Sequence, residues 1–174
     1  MGLDQYLTKR KFFWSDEEKP KAVIQLEKQF KWKINEVELE AIYWRKSNQI
    51  HKWFVMNVQE GEDDCGNYEL NKEKLEELLA VVTKVIDSIE LIDWEKYMSK
   101  KFNDWKLIEV ERTQKIVKDS SVAEELLPNW GWFFFGSTDY DEWYYNDLVN
   151  TKKDIEGTLA DHIEWMYYSY HSSW

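Results

Sequence analysis

The chain has 174 residues and a formal charge of −11, from 23 lysines and arginines against 34 aspartates and glutamates. That length has room for one ordinary domain. Aromatic residues make up 17% of it, beside only 6 glycines, 2 prolines and 1 cysteine, which excludes collagen-like, Pro/Gly-rich disordered, disulfide-stapled and multi-cysteine zinc classes.

In chain order, Leu3 to Phe13 reads as a strand that ends in a basic and aromatic run. Residues 15–33 are polar and charged around Pro20 and read as a loop or insertion, with a short strand at Ala22–Leu26. Val37, Leu39, Ala41 and Tyr43 alternate with Glu38, Glu40, Ile42 and Trp44, the period-2 signature of a strand. The period then changes: Ile50, Trp53, Phe54 and Val58 share one face of a helix that Ser47 or Asn48 can cap. A loop over Glu60–Tyr68 carries Asp63-Asp64-Cys65-Gly66. Asn71 then caps a helix on which Leu75, Leu78, Leu79, Val82, Val85 and Ile86 keep a 3.6-residue spacing.

From Asp93 to Lys118 the pattern is mixed, with a strand expected over Trp105–Val110. Ser121 and Glu124 form a capping box for a short helix stopped by Pro128, and the aromatic run Trp130–Phe135 reads as a buried strand closed by Gly136. Ser137 or Thr138 is expected to cap a helix bearing Tyr140, Tyr144, Leu148, Thr151 and Ile155. A final aromatic helix, about 158–174, would place Leu159, Ile163, Met166 and Tyr170 on one face. The expected fold is α+β: a single domain over 1–174, with a small, mostly antiparallel sheet packed against about four helices.

Acidity of this degree disfavours direct binding to nucleic acid or to an anionic membrane, where phosphate neutralisation by Lys and Arg dominates. It favours a basic protein partner. No apolar run approaches the roughly 20 residues of a membrane span. Met1 to Tyr6 lacks the pattern of a secretory signal, and a lone Cys65 fits a reducing compartment, so a cytoplasmic location is expected.

Gly2-Leu3-Asp4-Gln5-Tyr6-Leu7, Tyr43-Trp44-Arg45-Lys46, Ile50-His51-Lys52-Trp53-Phe54-Val55, Asp63-Asp64-Cys65-Gly66 and Phe133-Phe134-Phe135-Gly136-Ser137-Thr138-Asp139-Tyr140-Asp141 occur in this order. In that combination the chain resembles a family of small uncharacterised proteins carried by bacteriophages and prophages. The resemblance implies a phage-borne accessory protein, working in the host cytoplasm. It transfers no catalytic residues.

Three groups of residues carry candidate chemistry. Arg45, Lys46 and His51 supply positive charge that a fold can bring to the Gly136 junction, making a pocket with Tyr140, Asp141 and Tyr144 for a nucleotide-like ligand. The acids at the head of that helix oppose a phosphate while favouring the helix dipole. His51 itself reads as a helix-flank histidine, partly exposed. Asp63 and Asp64 beside Cys65 can hold a hard cation or position a water, but their spacing matches no EF-hand or zinc pattern, and neighbouring carboxylates disfavour a thiolate. The third group is acidic and aromatic: Asp147, Asp154, Asp161, Glu164, Trp165, Tyr168 and Trp174, of the composition found at interface cores and rims.

No nucleophile elbow, P-loop, dinucleotide fingerprint or paired CxxC occurs. No cofactor or metal is expected. The leading expectation is a protein that binds and inhibits a basic host or defence protein, such as a nucleic-acid-binding or CRISPR-type component, through an acidic, aromatic surface. The alternatives are a nucleotide-binding or sequestering protein and a small metal- or Cys-dependent enzyme.

Overall fold

The computed structural model describes residues 2–103, 106–131 and 135–174, with the backbone alone for 101–103 and 106–107. Its order is β1 (Asp4–Phe12), α1 (Lys21–Phe30), β2 (Glu36–Arg45), α2 (Asn48–Asn57), β3 (Asn67–Leu70), α3 (Lys72–Ser88), β4 (Leu91–Asn103), β5 (Lys106–Val117), α4 (Ser121–Leu126), α5 (Glu142–Ala160) and β6 (Met166–Ser173). The architecture is α+β, as expected. Four strands form an antiparallel sheet in the order β2-β1-β6-β3, and β4 pairs with β5 alone.

The sheet buries one face under the helices. Ile42, Leu7 and Tyr170 stand opposite one another across β2, β1 and β6, and opposite residues point to the same side. Against them pack Ile50 and Phe54 of α2, Leu75, Leu78 and Val82 of α3, and Leu148 and Ile155 of α5. The Phe54 and Tyr170 rings stack with centroids 3.9 Å apart, and Trp44 donates its indole N–H to Thr151 Oγ1 at 2.9 Å, tying β2 to α5. Capping follows side-chain chemistry. Asn71 accepts the Lys74 amide at 3.0 Å, and Asp141 accepts those of Trp143 and Tyr144 at 2.9 and 3.1 Å.

Several expectations fail. The C-terminal helix is instead β6, a central strand between β1 and β3. The spacing of Leu159, Ile163, Met166 and Tyr170 straddles two elements: α5 ends at Ala160, and Trp165 turns the chain with φ 63°. Tyr168, Tyr170 and Ser172 then alternate inward, and pairing on both edges outweighs any local helical preference. The segment 15–33 is not a strand-bearing loop but contains α1, which starts after Pro20 and closes at left-handed Lys31. Pro20 presets its own φ for the entry; Val23 and Glu27 face inward, with Glu27 bound to the buried Lys19.

The cap of α5 is Asp141, not Ser137 or Thr138, so Tyr140 precedes that helix. The cap of α4 is Ser120, one residue before the one expected, and its hydroxyl donates to Glu124. Of the strand expected at 130–135, residues 132–134 lie outside the described residues, and Trp130, Gly131 and Phe135 belong to no strand. Trp105 also lies outside them, whereas Lys106–Val110 begins β5.

The β4–β5 pair is an arm. Its base is held by the Val117 amide on the Tyr140 carbonyl and the Lys118 amide on the Glu90 carbonyl, both at 2.9 Å. Along its length Trp94, Tyr97, Met98 and Ile108 are exposed. No helix among the described residues is long and apolar enough to cross a membrane.

Candidate functional site

The corner between β2 and α2 concentrates polar groups that packing alone does not require. After Arg45 the chain turns at Lys46, whose φ of 61° is left-handed and uncommon for a side-chain-bearing residue. The turn is held by the Lys46 amide on the Leu3 carbonyl at 2.8 Å. Ser47, Asn48 and Gln49 follow, all buried. Asn48 ties the segment after α4 to this corner: its amide donates to the Phe135 and Ser137 carbonyls at 3.3 and 2.9 Å, and its Oδ1 accepts the Trp130 amide at 2.8 Å. That brings Gly136, with φ 101°, against Lys46; a Cβ at Gly136 would lie 3.2 Å from the Lys46 Cβ.

The result is a cleft of about 300 Å³ lined by Arg45, Lys46, Gln49, Gly136, Asp139, Trp143 and Asp147, among others. Ser47 donates its hydroxyl to Asp147 at 2.9 Å. Burial raises the Asp147 pKa; the Ser47 hydroxyl and the nearby Gln49 amide oppose that shift, and the Asp141 charge reinforces it. The fold therefore brings Arg45, Lys46, Gly136, Asp141 and Tyr144 together as expected, but neither His51 nor Tyr140 lines the cleft. Tyr140 is half-buried, packs edge-on against Tyr144 and accepts the Asn129 amide on its hydroxyl at 3.2 Å.

His51 lies one layer further in, and the expectation of partial exposure is wrong: it is fully buried. The turn from β2 into α2 aims it at the sheet rather than at solvent. Its Nδ1 lies 2.8 Å from the Tyr170 hydroxyl and its Nε2 3.1 Å from Asp63. Tyr170 also donates to Gln5 Oε1 at 3.0 Å, Gln5 donates to the Ser47 carbonyl at 3.1 Å, and Trp174 donates its indole N–H to Asp63 at 3.1 Å. The Trp130 ring stacks on His51, and Phe135 meets it edge-on. Burial lowers the His51 pKa despite the upward pull of Asp63, and burial also pushes the Tyr170 hydroxyl well above its ordinary value.

Asp64 and Cys65 do not join this network through hydrogen bonds. Asp64 Oδ1 accepts the Gly66 amide at 2.7 Å and the Tyr68 hydroxyl at 3.0 Å, closing a turn in which half-buried Cys65 has φ 57°. Both His51 nitrogens are taken by Tyr170 and Asp63, which leaves none for Cys65. Among the described residues no group of three His, Cys, Asp or Glu side chains is placed to hold a metal ion.

The expected partner-binding set divides. Asp154, Asp161, Glu164 and Trp165 are exposed, whereas Tyr168 is fully buried in the sheet and Asp147 faces the cleft. Tyr168 therefore cannot form part of a docking patch: β6 points it at the core, where its hydroxyl lies 2.8 Å from His162 Nδ1. Trp174 is 39% exposed and packs on Phe135.

A second acidic and aromatic surface has no counterpart in the sequence reading. On the sheet face opposite the helices, Tyr43, Tyr6 and His171 form one row, Glu40, Thr8, Ser169 and Glu69 the next, and Glu38, Arg10 and Tyr167 the third. Glu36 and Phe12 follow at the end. Arg10 reaches Glu69 at 2.7 Å and Glu36 and Glu38 at 3.9 Å. Only the register reveals this surface, because its members come from four strands separated in sequence.

Set against protein-family models, curated proteins and solved structures, the chain matches none of them.

Proposed function

We propose that this chain is a phage-type accessory protein that binds and blocks a basic host or defence protein, of the kind that itself binds nucleic acid, in the host cytoplasm. The observation that carries the reading is the sheet face opposite the helices, which no helix among the described residues packs against. There Glu36, Glu38, Glu40 and Glu69 outnumber Arg10 and surround Phe12, Tyr6, Tyr43 and Tyr167, all half-buried or exposed. Aromatic rings supply rigid contact area at little entropy cost, and carboxylates around them steer a cationic partner and reject anionic ones. On the helix side, exposed Asp154, Asp161, Glu164 and Trp165 give α5 and its C-terminal turn a similar composition. The net charge of −11 favours the encounter at long range.

The test is capture of a partner from lysate of the natural host with the tagged chain, at low and at high salt, beside the variant Glu38→Lys/Glu40→Lys/Glu69→Lys. A stoichiometric basic protein that leaves at high salt and is lost by the variant supports the reading, and its nucleic-acid binding should then fall when the chain is added. A partner retained equally by the variant and by high salt, or no partner at all, rejects it.

A further inference from the structure

We infer that the cleft between the β2–α2 corner and the head of α5 is a binding site for a nucleoside monophosphate. The inference is independent of the partner-binding reading, because it uses a different surface. Its starting point is Gln49: the residue is 2% exposed and lines the cleft, and its Nε2 completes no full hydrogen bond among the described residues, with only the Asp147 carboxylate beside it. Burying an amide donor short of a full partner is costly, and native proteins accept it mainly where a ligand or water completes the bond. Beside it stands Asp147, an acceptor that Ser47 also contacts. A donor and an acceptor side by side complement a ribose hydroxyl or the edge of a base.

The mouth of the cleft supplies the rest. Arg45 and Lys46 are exposed at its rim; Arg45 meets Asp4 only at 3.9 Å, and Lys46 forms no ion pair among the described residues. Two adjacent cations suit a terminal phosphate. The Trp143 indole, 66% exposed at the same rim, offers a flat face for a base. Gly136 keeps the opening clear, since a side chain there would press on Lys46.

Of the carboxylates nearby, Asp141 accepts the amides of Trp143 and Tyr144 on Oδ1, and exposed Asp139 accepts the Ser137 hydroxyl at 2.9 Å. Asp147 is the one whose burial disfavours its charge. A volume of about 300 Å³ accommodates one mononucleotide and no longer strand.

The test uses the purified full-length chain with AMP, GMP, CMP and UMP, and with inorganic phosphate and adenosine as separate arms, read by titration calorimetry and thermal shift. At least one nucleotide should bind, with phosphate and adenosine each at least about tenfold weaker. Lys46→Met and Trp143→Ala, both on exposed side chains, should each weaken that nucleotide about tenfold while leaving the melting temperature of the free chain unchanged. Absence of binding at millimolar nucleotide, phosphate binding as tightly as any nucleotide, or binding untouched in both variants each overturns the inference. The charge-reversal variant of the sheet face should keep nucleotide binding, so either proposal can fail without the other.

Discussion

Removing one oxygen tests whether the His51 network is sealed. Tyr170→Phe keeps the ring stacked on Phe54 at 3.9 Å and deletes only the hydroxyl, so the apolar packing is conserved. What is lost is the partner of two buried groups, His51 Nδ1 at 2.8 Å and Gln5 Oε1 at 3.0 Å. Both residues are fully buried, and each orphaned group costs about 1–3 kcal/mol when water cannot replace the missing partner. The sum is about 2–6 kcal/mol, a large share of the ~5–15 kcal/mol that holds an ordinary domain together.

Tyr168→Phe is the internal control. Its hydroxyl serves the half-buried His162, where solvent can step in, so the expected loss is about 1 kcal/mol. Urea unfolding followed by tryptophan fluorescence should show the midpoint of Tyr170→Phe well below that of Tyr168→Phe at equal slope. In thermal melts the loss should appear as a drop of about 4–24 °C for Tyr170→Phe. Equal losses in the two variants would refute the argument, since they would mean that water reaches the hydroxyl of Tyr170.

Three further outcomes follow from the same geometry. Because burial holds the His51 pKa below its ordinary 6.5, the unfolded chain binds that proton more readily than the folded one. Its contribution is therefore complete above pH about 6.5 and is lost as pH falls from there through the native value; urea midpoints from pH 7.5 to 5 should fall more steeply for the wild type than for His51→Gln, and parallel slopes would contradict the assignment. Asp141→Ala removes the acceptor of two α5 amides and should cost about 1–2 kcal/mol, against less than about 0.5 for the exposed Asp139→Ala, by the same unfolding assay. Replacing residues 95–113 with an Asn-Gly turn should leave the melting temperature within about 2 °C, because the exposed arm adds little to the core; a loss comparable to that of Tyr170→Phe would show that the arm supports the domain.

Elements built on local signals were legible in the sequence. The 3.6-residue spacing of Leu75, Leu78, Val82 and Val85 made α3 readable, and the Asn71 cap marked its start, because both depend on residues within a turn or two of one another. The existence of β2 and the run of apolar positions in α2 were legible for the same reason, but a bulge at Ala41 shifts the phase of β2, so that Ile42 and Trp44 rather than Tyr43 face the core. The adjacency of Arg45 and Lys46 to Gly136 was one option that the sequence left open, and Asn48, the residue that fastens the two segments, carried no signal beyond that of an ordinary cap.

Tertiary pairing decided the rest. Residues 166–173 carry an aromatic pattern compatible with helix or strand, and only the two flanking strands, β1 and β3, made them the centre of the sheet. That placement turned Tyr170 toward His51 and Tyr168 into the core, and it left Tyr167 on the open face. The burial of His51 and Gln49 and the acidic rows across four strands arise from contacts between residues far apart in the chain. Local periodicity specifies which face of an element is apolar; the register between distant strands specifies what each polar side chain meets.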